Sequence, residues 1–250
     1  MKKIFLIIIL VLISTRINSQ TILNTEKLLS EVDSTFVTAI SFEGDFQSGN
    51  IDLVDVGLSI QIGKKVNKSI YRLIIGYQHQ SEDNEILSND VSGQLRYNYT
   101  INKNSIFTFF QFQNAKSLLM KHRYLIGLGY RQNIFNKNGQ YMDLSYGLFH
   151  ENELYNNNIG DIKANNLRHS VSVFFKVNLE KNIFLNNSLY LQYNTSDLND
   201  YRSFIEPRIY FEFEKFNMYF SSRNRFHSKP YVDIKRSDNE ILVGFEIGIN

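Results

Sequence analysis

Cysteine and tryptophan are absent from this chain of 250 residues, and proline occurs only at Pro207 and Pro230. The lack of cysteine excludes disulfides and thiolate metal sites. It also excludes a lipid-anchored lipoprotein, which needs a cysteine after its leader. So few prolines leave nearly every backbone N–H able to join a hydrogen-bonded ladder. No Pro/Gly/Ser-rich linker, charge block or shift in composition divides the chain, so one domain is expected. Neither sign of charge dominates, with 27 Lys and Arg against 25 Asp and Glu, and nothing argues for nucleic acid. The five histidines, at 79, 122, 150, 169 and 227, form no ligand-spaced pair. There is no phosphate-cradling glycine loop. Neither a metal nor a cofactor is implied.

The longest apolar run, Ile4–Ile13, is too short to span a bilayer comfortably as a helix. It follows Lys2 and Lys3 and precedes the polar stretch Ser14–Ser19, the layout of a secretory signal peptide over residues 1–19. Without those residues 24 basic side chains face 25 acidic ones, a net charge of −1, so the basic pI belongs largely to the leader. Residues 20–34 place Leu23, Leu28, Leu29 and Val32 among Glu and Lys, and read as a short amphipathic lead-in on the periplasmic side.

From residue 35 to 250 the chain alternates apolar and polar residues. In Asn89–Ile101, Val91, Leu95, Tyr97, Tyr99 and Ile101 share one face, and Asp90, Ser92, Gln94, Arg96, Asn98 and Thr100 the other. A period of two marks a sheet with one apolar and one polar face. The pattern recurs about a dozen times, and many of the strands are long enough to cross a bilayer at a tilt. The chain's 15 Tyr and 20 Phe suit both strands and membrane interfaces. Connections alternate in length. Lys64–Lys68, Asn102–Asn104, Glu180–Asn182 and Glu214–Phe216 are short; Ser81–Ser88, Asn152–Asn165, Asn194–Tyr201 and His227–Asn239 are longer. Short periplasmic turns and long outer loops produce this rhythm. The expected fold is therefore all-β, a transmembrane antiparallel up-and-down barrel of about twelve strands. A secreted β-sandwich also alternates, but its outer faces would not be aromatic and nearly free of charge. Pro207 falls inside the tenth strand, where a bulge is expected. The fifth strand, with Phe107, Phe109, Phe110 and Phe112, leaves its facing open.

Two stretches carry a family likeness. Phe42-Glu-Gly-Asp-Phe-Gln-Ser-Gly-Asn50 resembles the opening strand and turn of the YdiY-like family, described as salt-induced outer-membrane proteins of unknown function. Phe110-Gln-Phe-Gln113 followed by Arg123-Tyr-Leu-Ile-Gly-Leu-Gly-Tyr-Arg131 resembles its mid-barrel segment. The resemblance spans about Thr35–Glu153 and implies an outer-membrane barrel with no assigned reaction or cargo. At the C-terminus Gly244, Ile247 and Ile249 are similar to the terminal-strand signal read by the barrel-insertion machinery, although Asn250 stands where that signal has an aromatic residue.

Three constellations could carry chemistry. If strands six and seven pair around Asn136–Asn138, Arg131 faces Asp143 and Arg123 faces Glu151 in the lumen, with Gly127 and Gly129 leaving room beside them. Such charges form either a constriction that selects solutes or an ion-pair ladder that fills and stiffens the barrel, and the ladder is expected. Glu43, Asp45 and Asp55 form an acidic group near one mouth that could attract cations; a merely solvated group is the plainer reading. Gly76-Tyr-Gln-His-Gln-Ser81 resembles the active-site strand of outer-membrane phospholipase A, which implies His79 as base, Ser81 as nucleophile and Asn89 as orienter. Glu82-Asp83 departs from that enzyme's Asn-Gly, and its Trp-Asn context is missing. The expectation is a non-catalytic outer-membrane barrel, structural in the envelope or a narrow solute pore, with a lipid hydrolase as the alternative. Its expected partners are outer-membrane lipid and the insertion machinery.

Overall fold

A computed structural model describes residues 24, 36–47, 53–83, 85–157 and 159–249. The expected signal peptide, and the lead-in apart from Asn24, lie outside these residues. The strands are β1 (Phe36–Gln47), β2 (Leu53–Val66), β3 (Ser69–Glu82), β4 (Glu85–Ile101), β5 (Asn104–Ala115), β6 (Met120–Lys137), β7 (Gln140–Tyr155), β8 (Ile162–Glu180), β9 (Ile183–Asn194), β10 (Tyr201–Glu212), β11 (Asn217–His227) and β12 (Ser237–Ile249). Each pairs antiparallel with its sequence neighbours, and β1 pairs with β12 to close a twelve-stranded barrel. Closure leaves no strand edge, the condition for crossing hydrocarbon with strands.

The pairs Val66↔Ser69, Ile101↔Asn104, Lys137↔Gln140 and Glu180↔Ile183 frame two-residue turns. Asn67, Asn102, Asn138 and Gly139 adopt left-handed backbone, with φ of 55°, 55°, 54° and 73°. Asn and Gly enter that region at low cost, and the Asn-Gly pair suits a tight hairpin turn. These turns gather at the end where β1 begins and β12 finishes. The longer connections at 156–161, 195–200 and 228–236 lie at the other end. Short turns face the periplasm and long loops face outward.

Two expected outer loops are shorter than the sequence pattern indicates. In place of a loop at Ser81–Ser88, β3 runs to Glu82 and β4 starts at Glu85. In place of Asn152–Asn165, β7 reaches Tyr155 and β8 starts at Ile162. Toward the outer end of β7 the outward face turns polar at Asn152 while the inward Glu153 and Tyr155 stay fully buried, so the apolar alternation fades while the ladder continues. Pro207 causes no bulge. Its pairing with β9 runs unbroken, while pairing with β11 skips Glu206 and Pro207 and resumes in the same register. On β5, Phe107 points inward and is buried, and Phe110 points to lipid at 48 % exposure.

The lipid face carries aromatic clusters near both ends. Tyr71–Tyr97, Phe213–Phe216 and Phe216–Phe245 lie toward the short turns. Phe112–Tyr124, Tyr193–Tyr201 and Tyr201–Phe226 lie toward the outer loops. Amphipathic rings settle at headgroup depth, so the two sets bracket the hydrocarbon band.

Aromatics also fill the lumen. Gly127 and Gly129 do not open it, because rings occupy the room they leave. A Cβ on Gly127 would lie 2.6 Å from Phe149 Cβ, and one on Gly129 would lie 2.4 Å from Phe107 Cζ and 2.5 Å from the Tyr146 carbonyl oxygen. Tyr141, Phe174, Tyr190 and Phe204 form a buried cluster beside them. Arg96 stacks over Phe107 at 4.0 Å and Arg131 over Phe174 at 4.7 Å, so each guanidinium caps an aromatic ring. Gly129→Ala is expected to displace Phe107 and lower stability by about 1–3 kcal/mol. The check is the temperature at which the folded band converts on SDS gels; an unchanged temperature rejects this packing.

Candidate functional site

Alternation turns the charged side chains of β6, β7, β8, β10 and β11 inward, where they meet beneath the outer loops. Glu151 on β7 is fully buried. It accepts hydrogen bonds from Arg123 Nη2 at 2.8 Å, from Arg202 Nη1 at 3.0 Å and from Arg168 Nε. Glu153, two residues on and therefore on the same face, lies 3.0 Å from both Arg123 Nε and Arg202 Nη2. Arg202 is on β10, three strands around the wall from β7. Its bonds to Glu151 and Glu153 therefore run across the lumen rather than along the sheet.

The outer loops join this network. Asp200, in the loop before β10, accepts from Arg168 Nη2 at 2.6 Å, Asn194 Nδ2 at 3.0 Å and His227 Nε2 at 2.8 Å. Tyr231, in the loop before β12, accepts from Arg168 Nη2 at 2.9 Å and donates to Asp200 at 3.1 Å. Burial alone would raise the Asp200 carboxyl, but the His227 and Arg168 hydrogen bonds, the Arg168 charge and the Asn194 amide hold it below the usual carboxylate range. Burial raises the Tyr231 hydroxyl above its ordinary value.

Of the residues expected from sequence, Arg123 and Glu151 meet inside this network. Arg131 and Asp143 meet separately toward the periplasmic end, with Nη2–Oδ2 at 2.6 Å. The four do not form one ladder. Along β6 the rings of Phe149 and Phe107, opposite Gly127 and Gly129, lie between the two pairs. The register also differs from that expected. The β6–β7 turn is Asn138–Gly139 rather than Asn136–Asn138, and a shift at Asn133/Phe135 sets Arg131 opposite Ser145, so Arg131 reaches Asp143 diagonally. The sequence pattern alone does not bring Glu153, Arg168, Asp200, Arg202, His227 and Tyr231 together. Glu153 and Arg168 were within reach, since each sits at an inward position of a regular strand. Asp200 and Tyr231 lie in loops without periodicity.

A second set of charges crosses near the β1–β12 junction. Glu43 on β1 lies 3.3 Å from Arg208 Nη2 and 2.7 Å from Arg223 Nη2, and it accepts from the Tyr219 hydroxyl at 2.6 Å. Tyr219 belongs to β11 and reaches β1 over β12. Only glycine permits this, because a Cβ on Gly244 would fall 2.3 Å from Tyr219 Cζ. Asn24 also lies in the lumen, where its amide donates to Glu206 at 2.5 Å.

Between these sets a cavity of about 520 Å³ opens at the outer end, lined by Asp45, Asp55, Gln78, Asp90 and Glu240 among others. Asp55, Gln78 and Asp90 also line a deeper cavity of about 120 Å³ that reaches Gln61 and Ile74. The acidic group expected at one mouth therefore divides. Asp45 and Asp55 line the outer cavity, and Glu43 belongs to the deeper, ion-paired wall.

His79 and Asn89 are cross-strand partners near the lipid side, with His79 Nδ1 and Asn89 Oδ1 2.7 Å apart. The Tyr77 hydroxyl donates to the same Asn89 oxygen at 2.9 Å. Ser81 lies beyond a register shift and pairs with Ile86. Among the described residues no hydrogen bond joins Ser81 to His79.

Removing one member of a buried charge set leaves the others uncompensated. Glu151→Gln would set three guanidiniums against a neutral amide, and a loss of about 3–5 kcal/mol is expected. Denaturant titration of the refolded barrel measures it, and a loss within error of zero rejects the assignment. Asp200 gives a pH test. Its carboxyl is depressed in the folded state, so the stabilisation is present above the ordinary carboxylate pKa of about 3.9 and fades as pH falls through the lower folded value. Thermal stability is expected to drop below about pH 4, and Asp200→Asn to shrink that drop. An acid profile unchanged in the variant counts against the role of Asp200.

Solved structures share this architecture. The translocator domain of the autotransporter NalP from Neisseria meningitidis aligns at a TM-score of 0.52 with 10 % identity, over 86 % of this chain and 90 % of that one. The KdgM porin aligns at 0.50 with 14 % identity, over 85 % and 99 %. An outer membrane channel from Pseudomonas putida F1 aligns at 0.50 with 7 % identity, over 86 % and 95 %. At such identities the likeness is one of fold, and with the lipid face described above it places this barrel in the outer membrane. No curated protein matches the sequence. Residues 40–249 match the family described as protein of unknown function, DUF481, and the chain belongs to that family.

Proposed function

We propose that this outer-membrane barrel is closed to bulk solutes and serves as a structural element of the envelope that presents a polar vestibule to the outside. One observation carries the reading: Arg202 and Glu153, at 1 % and 0 % side-chain exposure, join across the lumen at 3.0 Å. A water-filled channel would leave such side chains wet. Toward the periplasm, Val37, Ala39 and Ile70 pack together, as do Phe184, Tyr210 and Tyr219, which supports a lumen closed at that end. A narrow solute pore is the second reading, favoured by the two cavities that meet at Asp55, Gln78 and Asp90.

The partners on this proposal are outer-membrane lipid, through the aromatic-rich outer face, and the barrel-insertion machinery, through β12. It includes no catalysis. Among the described residues no serine is hydrogen-bonded to the His79–Asn89 pair.

Planar-bilayer recording separates the readings. Folded protein at high KCl is expected to give no sustained steps, and Arg123→Ala to lower the unfolding temperature without creating them. Long-lived ohmic steps from wild type would establish the pore. Fatty-acid release from phospholipid by wild type but not Ser81→Ala would establish the hydrolase.

A further inference from the structure

The vestibule holds two carboxylates without a counterion. Asp55 is buried and accepts hydrogen bonds from Gln78 Nε2 at 3.0 and 3.2 Å. Asp90 accepts from the Ser117 hydroxyl at 2.6 Å, the Lys116 backbone N–H at 2.8 Å and the Ser88 hydroxyl. Among the described residues no cationic side chain forms an ion pair with either. They face one space, since Gln78, which binds Asp55, is also the cross-strand partner of Asp90.

The guanidiniums that line the same space act on Asp55 only at a distance, and each is already engaged by other carboxylates. Arg208 is held by Glu43 and Glu206, Arg223 by Glu43, Glu206 and Glu240, and Arg225 by Asp238 and Glu240. Four carboxylates thus already serve three arginines, and the cavity as a whole keeps a negative excess. In a low-dielectric wall such an excess concentrates cations.

A second set of groups, deeper down, lacks partners. Gln113 lies opposite Ser92 on the inward face beside Asp90; it is 3 % exposed, and its side-chain oxygen has no hydrogen-bond partner among the described residues. Gln61, at 1 % exposure, has neither amide atom partnered, and the Ser59 hydroxyl is likewise unpartnered. All three line the deeper cavity together with Asp55, Asp90 and the apolar Ile74 and Leu242. Buried polar groups left unpaired cost stability, and a ligand that pairs them recovers it.

The acceptors therefore form a column. Two carboxylates stand at the mouth, and neutral acceptors continue down β2. At about 3.3 Å per residue Ser59 lies about 13 Å below Asp55. A compact metal ion cannot span such a column, and among the described residues no cluster of ligands suits one. A saccharide would not need the two carboxylates uncompensated. From this arrangement we infer that the vestibule binds a linear aliphatic polyamine. One ammonium sits between Asp55 and Asp90, its methylenes lie along Ile74 and Leu242, and a deeper N–H group donates to Gln113, Ser59 or Gln61. The site does not depend on whether the barrel conducts, so the bilayer recording and the binding test fail independently.

Spermidine is the probe, titrated calorimetrically into the full-length barrel folded in non-ionic micelles. Saturable binding is expected, weakened by salt. Asp55→Asn and Asp90→Asn should each lower affinity by about tenfold or more, and Gln113→Leu should lower it less. Each variant is first shown to keep its unheated SDS-gel mobility; if the asparagine variants do not fold, Asp90→Glu and Gln113→Leu are compared instead, and both are expected to weaken binding. Equal binding by 1,8-octanediol, equal competition by Mg²⁺ at the same concentration, or spermidine affinity unchanged by the substitutions would overturn the assignment.

Discussion

Seven residue pairs, from Thr38↔Ile249 to Gly44↔Val243, join β1 to β12, and the rest of the molecule depends on that joint. In hydrocarbon an unpaired peptide group has no water to bond, so a strand can cross only in a ladder without edges. The joint is reinforced from within. Tyr219 crosses Gly244 to hydrogen-bond Glu43, tying β11 to β1 over the last strand, and Arg208 and Arg223 draw on the same carboxylate. Main-chain closure sets the barrel, and these side chains hold its seam.

Closure also creates the problem that the lumen solves. A barrel of this size encloses space that water, rings or ion pairs must fill. Here rings occupy the part above Gly127 and Gly129, and charges occupy the part beneath the outer loops. Burying so many charges is favourable only because they are paired with good geometry, Glu151 with three guanidiniums and Glu153 with two. The arrangement links strands that are not neighbours and ties the loops at Asp200 and Tyr231 to the wall. The vestibule lies outside this compensation. Its carboxylates on β2 and β4 have hydrogen bonds but, among the described residues, no ion pair, and that difference separates the interacting part of the lumen from the structural part.

Much of the fold was legible from the chain because period two is a local property. A strand such as β4 declares both faces through alternate residues, and Asn-Lys marks the turn after it as Asn-Gly marks the one after β6. Legibility failed where the local signal ended. Above the bilayer, β7 and β8 continue although both faces are polar, so Asn152–Asn165 read as loop. On β5, phenylalanines on both faces hid the facing, and only pairing with the glycines of β6 shows why Phe107 and Phe109 turn inward. Within the site, counting from the expected turn set Arg123 opposite Glu151, whereas its cross-strand partner is Glu153 and it reaches Glu151 diagonally. A register change of two residues altered how Arg131 reaches Asp143.

Sequence alone determined that the chain forms a closed, outward-apolar barrel, since alternation, strand length and turn residues each act over a few neighbours. Only the tertiary structure decided which inward charges meet. Arg202 and Glu151 lie three strands apart around the wall, and the distance between them across the lumen is set by barrel closure rather than by spacing along the chain. The same holds for Asp55 and Asp90. Among the described residues neither forms an ion pair, and that becomes visible only when all twelve strands are in place.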